Sequence, residues 1–246
     1  MSAPAITVLA DPGELAAQAA DHFIELASAA LAVRATVAVA LAGGSTPRAM
    51  NALLAAEPRR GRLDWRRVRF FFGDERCVPP DHADSNYRMT RETLFDPLSI
   101  PAANVERIRG EDVPHAAAAA YGARLEALLG ESPVFDLVYL GMGPDGHTAS
   151  LFPGTIATLD ARALAIANFV PKFDTYRITV TPRVINAARH VTITAAGAEK
   201  AAALAAVING PRDPNLYPAQ LVAPQAGELH WLVDAAAAAQ LNLPVS

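Results

Sequence analysis

One cysteine, Cys77, stands alone in the 246 residues, and neither a disulfide framework nor a cysteine-rich metal site can be built from a single thiol. That scarcity fits a reducing compartment. No apolar run approaches the roughly 20 residues a membrane helix needs, and no basic stretch followed by an apolar core opens the chain. Neither a membrane span nor a secretory signal is therefore expected, and the cytoplasm is the expected location. No His-x-x-His or Cys-x-x-Cys spacing occurs, so no metal site is predicted. A strong charge of either sign is also missing. The net charge of −4 argues against an electrostatic nucleic-acid binder but permits local basic clusters for an anionic metabolite. Internal repeats and linker-like stretches are absent, and 52% hydrophobic with 19% charged residues excludes a disordered chain. One domain over residues 1–246 is expected.

What the chain does have is alternation. Apolar runs at 5–9, 36–42, 68–72, 135–141, 162–170, 177–180, 190–195 and 229–233 read as strands. A short strand is also expected over Val105 to Ile108. Helices are expected between them: one opened by Asp11-Pro12 and reaching Val33, and one after Ser45-Thr46-Pro47, where Ser or Thr caps and Pro starts. Others run from the Asp84-Ser85-Asn86 segment to Phe95, from Pro114 to Gly130, and over Ala201 to Ile208. A short alanine-rich helix closes the chain. This is the pattern of an α/β fold with a mainly parallel sheet flanked by helices.

Three strand ends carry unusual chemistry. The run Phe135-Asp136-Leu137-Val138-Tyr139-Leu140 meets Gly141-Met142-Gly143-Pro144-Asp145-Gly146-His147, placing an acid and a histidine in a glycine loop just past a strand's carboxyl end. Open α/β sheets keep their ligand crevice there. The strand from Thr36 runs into Gly43-Gly44-Ser45-Thr46-Pro47. This is either an ordinary strand-to-helix turn or an anion cradle of free N–H groups at a helix start. It is no Walker loop, because the Gly-Lys-[Ser/Thr] ending is missing. The Phe-rich third strand ends in Gly73-Asp74-Glu75-Arg76, where charge at the end of a buried strand is either paired in a solvated loop or part of a site. Lys200 falls in the first turn of a helix, where the dipole disfavours a cation; it is either solvated or faced by something anionic.

Six histidines compete for a catalytic role. His22 and His115 fall on helices, His190 and His230 on or beside strands, and His82 in a loop, all ordinary structural settings. Only His147 combines a glycine loop, a neighbouring acid and a strand end. Gly141, Gly143 and Gly146 also fit the dinucleotide fingerprint Gly-x-Gly-x-x-Gly, which is rejected here. Asp145 would oppose a pyrophosphate, Pro144 lacks an N–H donor, and no strand ending in an acid follows about 20 residues later.

In collinear order, Gly43-Gly44-Ser45-Thr46-Pro47, Gly73-Asp74-Glu75-Arg76, Ser85-Asn86-Tyr87, Gly141 to Gly154, Arg177-Ile178-Thr179-Val180-Thr181 and Gly197-Ala198-Glu199-Lys200 resemble the 6-phosphogluconolactonase family. The resemblance implies a modified Rossmann-like α/β fold, shared with glucosamine-6-phosphate deaminase and ribose-5-phosphate isomerase. It also implies hydrolysis of 6-phosphoglucono-1,5-lactone in the pentose phosphate pathway, with no redox cofactor and a sugar-phosphate lactone as the partner. A monomer or weak homodimer is expected. By the same resemblance, Gly43, Gly44, Ser45 and Thr46 take the 6-phosphate, with Arg177 and Lys200 supplying charge. His147, Asp145, Asp74 and Arg76 are the catalytic candidates.

Opening a lactone needs an activated water, a stabilised oxyanion and a proton for the leaving oxygen. An imidazole with an ordinary pKa near 6.5 can take and return that proton. Arg76 is a candidate oxyanion stabiliser. Asp145 has two open roles, orienting the imidazole or fixing the loop. The deaminase pattern has Asn-Glu-Pro-Gly after the histidine, where this chain has Leu151-Phe152-Pro153-Gly154, and typically Tyr where this chain has Arg76. A deaminase or isomerase of sugar phosphates and a non-catalytic sugar-phosphate sensor are the alternatives.

Overall fold

Val37–Leu41 (β2) is buried along its whole length, between Val68–Phe72 (β3) on one side and Leu137–Gly141 (β5) on the other. Strands covered on both faces read as continuous apolar runs, and Val-Ala-Val-Ala-Leu is such a run. A computed structural model describes residues 4–158 and 162–242. In it the sheet extends through His190–Ala195 (β8) and Glu228–Asp234 (β9) to Ala5–Leu9 (β1). Its order is β1-β9-β8-β5-β2-β3, with every neighbouring pair parallel. The expected mixed α/β fold with a mainly parallel sheet is present.

Pro12–Val33 (α1) starts where its sequence dictates. The Asp11 carboxylate accepts from the N–H groups of Gly13 and Glu14 at 2.8 and 2.9 Å, and Pro12 occupies the first turn. Its buried face, including Leu15, Ala19, Phe23, Ala27 and Ala30, repeats at helical spacing. Ser45–Ala55 (α2) packs against α1. Asn86–Thr90 (α3) runs on through a π turn at Arg91–Phe95 into Asp96–Leu98 (α4), so this unit passes Phe95 and ends three residues later. Pro114–Leu129 (α5), Pro182–Asn186 (α6) and Ala201–Asn209 (α7) complete the helices, and the last turn, Ala237–Gln240, is 3-10. Among the described residues no helix is long and apolar enough to cross a membrane.

Three expectations need correction. Residues 105–108 form no strand; Val105 makes a single bridge to Phe70. The edge of β3 is closed by other groups. The Asn104 amide donates to the carbonyls of Arg66 and Val68, and the Tyr121 hydroxyl both accepts from Phe72 N and donates to Phe72 O, at 2.9 Å each. A hydroxyl and an amide thus blunt a strand edge that would otherwise offer free pairing groups. Second, of the two readings of Asp74-Glu75-Arg76, the solvated loop does not form. The segment is a strand, Asp74–Arg76 (β4), in a separate antiparallel sheet of order β4-β7-β6, with Thr175–Val180 (β7) and Ala165–Val170 (β6). Gly73 joins the two sheets: its N–H donates to Leu41 O in the large one and its carbonyl accepts from Val180 N in the small one. Third, the strand expected from Arg162 begins at Ala165.

From β2 the chain passes through α2 to β3 on one side. From β5 it passes through the small sheet and α6 to β8 on the other. The topological switch point therefore lies between the carboxyl ends of β2 and β5, where open α/β sheets form their crevice.

At the opposite end of the sheet three of the histidines gather around a small cavity with Thr192 and Glu228. His22 Nδ1 lies 3.3 Å from the Tyr139 hydroxyl, and its ring meets that of His230 edge-on at 4.9 Å. His230 Nε2 is bonded to the Thr7 hydroxyl at 2.8 Å, and His190 faces Glu228. They form no metal centre: among the described residues no group of His, Cys, Asp or Glu could hold an ion. Burial, then the neighbouring His230 and His190, push the His22 imidazole down from 6.5 to about 4. The unfolded chain takes up this proton near 6.5 and the folded chain refuses it until about 4, so stability falls as pH drops through that window. The expected loss is about 1–3 kcal/mol. Urea midpoints measured from pH 7 to pH 4 should fall less steeply for His22→Gln than for the native chain. Equal slopes would remove His22 as their cause.

Candidate active site

The switch-point crevice is a cleft of about 240 Å³, walled by the turn after β2, the loop after β5, β4, and the segment after β8. Gly43, Gly44, Ser45, Thr46, Asp74, Arg76, His147 and Lys200 all line it, with Gly141, Gly143, Ala149 and Thr194. Arg177 is not among its lining residues.

In the turn after β2 the helix begins one residue earlier than the Ser/Thr cap expected. Gly44 is the cap, at φ +110°, and Ser45 is the first helical residue. That backbone angle is costly for any residue with a Cβ. No side chain caps this helix start, so its first N–H groups remain available to a ligand at the positive end of the dipole. Gly43 is required for a different reason. A Cβ there would run into the Asn86 side-chain amide, which packs against the turn from the start of α3.

The loop after β5 folds back on itself. Gly143 N donates to His147 O at 2.9 Å, Gly146 N to Gly143 O at 3.0 Å, and the Thr148 hydroxyl to Gly141 O at 2.8 Å. This carries the His147 ring over Gly143, where a Cβ would collide with the imidazole and with the Asp145 carboxylate. Asp145 Oδ1 is hydrogen-bonded to His147 Nδ1, and Phe152 stacks on the imidazole with ring centres 4.1 Å apart. A carboxylate on Nδ1 holds the proton there in the neutral ring and leaves the Nε2 lone pair to act as a base. Burial works to raise the Asp145 carboxyl. The hydrogen bond and charge of His147, together with Lys172 at 3.1 Å, outweigh it and hold Asp145 well below the usual carboxylate range.

On the β4 wall Asp74 is almost wholly buried and its carboxylate is engaged. Oδ2 accepts from the Ser150 hydroxyl at 2.6 Å, and Oδ1 and the main-chain carbonyl accept from the Asn86 amide at 3.4 and 2.9 Å. Asp74 thus ties β4 to the loop after β5 and to α3. Its neighbour Glu75, also buried, accepts from Asn86 N and Tyr87 N at 2.8 Å each and from the Ser85 hydroxyl, so a residue from another element caps α3. Burial pushes the Glu75 carboxyl up, against those N–H groups.

Arg76 lines the cleft and is anchored by donation to Asp84 O at 2.6 Å. Arg177 pairs with it across β4 and β7, and its guanidinium lies over the Phe173 ring. Burial and then Arg76 lower the Arg177 pKa. Both Nε atoms are buried without a hydrogen-bond partner among the described residues. Across the cleft, Lys200 precedes α7. Burial lowers its pKa, while Glu199 and Asp234 pull it back.

Sequence reasoning passed over Asn86, Thr194, Phe152 and Lys172. Asn86 and Phe152 lie inside the stretches it singled out, but nothing local says that one touches Gly43 and the other covers His147.

The matching family model, described as glucosamine-6-phosphate isomerases/6-phosphogluconolactonase, covers residues 10–231. A 6-phosphogluconolactonase of Nostoc sp. is 40% identical over 244 residues, 97% of this chain and 98% of its own. One of Homo sapiens is 40% identical over 252 residues, with 99% and 97% covered. The solved structure of 6-phosphogluconolactonase from Trypanosoma cruzi matches at a TM-score of 0.88 and 33% identity over 99% of both chains. A cleft assembled at the switch point, with these relatives matching over nearly the full length, places the chain in the glucosamine-6-phosphate isomerase/6-phosphogluconolactonase family.

Proposed function

We propose that this cleft hydrolyses 6-phospho-D-glucono-1,5-lactone to 6-phospho-D-gluconate, the lactone-opening step of the oxidative pentose phosphate pathway, with His147 as general base. The observation that carries the reading is the Asp145–His147 pair, its ring bordering a cleft that also holds an uncapped helix start and two cations. His147 Nε2 takes a proton from water as the water oxygen bonds to the lactone carbonyl carbon. The tetrahedral intermediate collapses by breaking the bond from that carbon to the ring oxygen, and the imidazolium returns its proton to the departing oxygen. Arg76 faces the developing oxyanion, where positive charge held in place lowers the barrier. The 6-phosphate sits on the start of α2, with Lys200 as a point charge. Arg177, beside Arg76 across the strand pair, adds positive charge for the phosphate, and Asp74 holds β4 against the loop.

A deaminase reading is disfavoured by one contact. Where the deaminase pattern puts a carboxylate after the histidine, this chain stacks Phe152 on the imidazole. A phenyl ring offers no second acid–base group for isomerising an amino sugar.

Fresh lactone, with spontaneous opening subtracted, should be hydrolysed by the native chain, and glucosamine 6-phosphate should release no ammonia. His147→Ala should lower kcat about 10²–10⁴-fold while leaving 6-phosphogluconate binding nearly intact. Full activity in that variant would remove His147 as the base. Lys200→Ala should raise KM and weaken 6-phosphogluconate binding about tenfold or more, since hydrogen bonds to charged groups contribute about 1.5–3 kcal/mol. Unchanged phosphate affinity would assign Lys200 to solvent.

A further inference from the structure

The turn between β6 and β7, Pro171–Phe173, reaches both members of the proton-transfer pair. Lys172 Nζ lies 3.1 Å from Asp145 Oδ2, the oxygen that His147 Nδ1 does not use. The next residue, Phe173, meets Phe152 edge-on at 5.7 Å, and Phe152 is the ring stacked on His147. The turn is held in shape at both ends, by Pro171 at its start and by Asp174 in the left-handed region at φ 46°. Lys172 does not line the substrate cleft. It borders a second, mostly apolar cavity with Asp145, Phe152, Pro153, Val170 and Tyr217.

We propose that Lys172 is a positioning residue of the catalytic pair, holding the Asp145 carboxylate so that its other oxygen is presented to His147. The proposal rests on the reading of His147 as the general base. Among the described residues, Asp145 has His147 and Lys172 as its side-chain partners. Without Lys172 the carboxylate is held through Oδ1 alone, by His147 Nδ1 and the His147 N–H, and Oδ2 loses its partner. Its charge, no longer offset, would then favour the protonated imidazole. The other charged or titratable groups around the pair are Asp74 and Arg76 on β4, Arg177 on β7, Lys200 before α7, and Tyr217 packed on Gly146. None of them is hydrogen-bonded or ion-paired to Asp145. The Lys172 side chain is 56% exposed, so solvent and salt screen it and the effect is a modest one.

The test combines two measurements on the native chain, Lys172→Met and Lys172→Arg. Nitrogen-15 NMR of labelled histidine rings, with His147 assigned through His147→Ala, reads the pair without turnover. Lactone hydrolysis against pH reads the chemistry. In Lys172→Met the His147 ring titration should move up by about 0.3–0.7 pH unit. The acid limb of kcat should move with it, kcat should fall about 3–10-fold, and KM should stay within about twofold. Lys172→Arg should restore all of these. An unmoved ring titration in Lys172→Met would overturn the proposal, as would a raised KM with an unchanged profile, which would make Lys172 a substrate contact. If the native chain fails to hydrolyse the lactone, the functional reading falls, and the ring titration still decides the role of Lys172.

Discussion

Which nitrogen of His147 carries a proton decides what the cleft can do, and a carboxylate pressed against Nδ1 makes that choice. In the proposed reaction the other nitrogen is the base. Placement follows from the loop after β5, which reverses over Gly143 so closely that no side chain fits beneath the ring. The loop in turn is pinned by Thr148 to the end of β5 and by Ser150 to Asp74 on the small sheet. The placement of this pair thus accounts for glycine at 143, and the pinning of its loop for a hydroxyl at 150 and a buried aspartate at 74.

The large sheet was legible because its strands need no context to be recognised. Val37–Leu41 is buried along its whole length, and its continuous apolar sequence announces that burial; Val68–Phe72, with Arg69 half-exposed at the sheet edge, still carries three consecutive phenylalanines. β4 was not legible, since Asp74 and Glu75 are buried only because partners far along the chain satisfy them. Ser150 lies 76 residues from Asp74, and the α3 N–H groups meet Glu75 from a different element. The false strand at 105–108 has the reverse cause. The segment reaches the β3 edge only at Phe70, through the Val105 bridge and Glu106 N, because Asn104 and Tyr121 take the carbonyls of Val68 and Phe72 on either side.

The same division holds at the cleft. His147, Asp145 and the turn at Gly43–Thr46 could be located because glycine at a strand end signals close backbone approach within a few residues. Arg177 could be flagged only through family likeness, and its neighbour across the small sheet, Arg76, reaches the cleft where it does not. Lys172 and Phe173 carry no local signal. Their importance arises when a hairpin turn from one sheet meets a loop from the other, and no periodicity within either segment encodes that meeting.

The walls of the cleft come from two sheets that share Gly73 as a seam. The imidazole belongs to the parallel sheet and the guanidinium of Arg76 to the antiparallel one, so a slight shear along the seam would alter their spacing while every strand kept its partners. Against such slippage stands the short bond from Ser150 to Asp74, a crosspiece between the two halves at 2.6 Å. The spacing of the imidazole and the guanidinium is therefore a property of how the two sheets are fastened, and Asn168 to Ser150 O at 2.9 Å and Lys172 to Asp145 at 3.1 Å share that fastening with the hydroxyl.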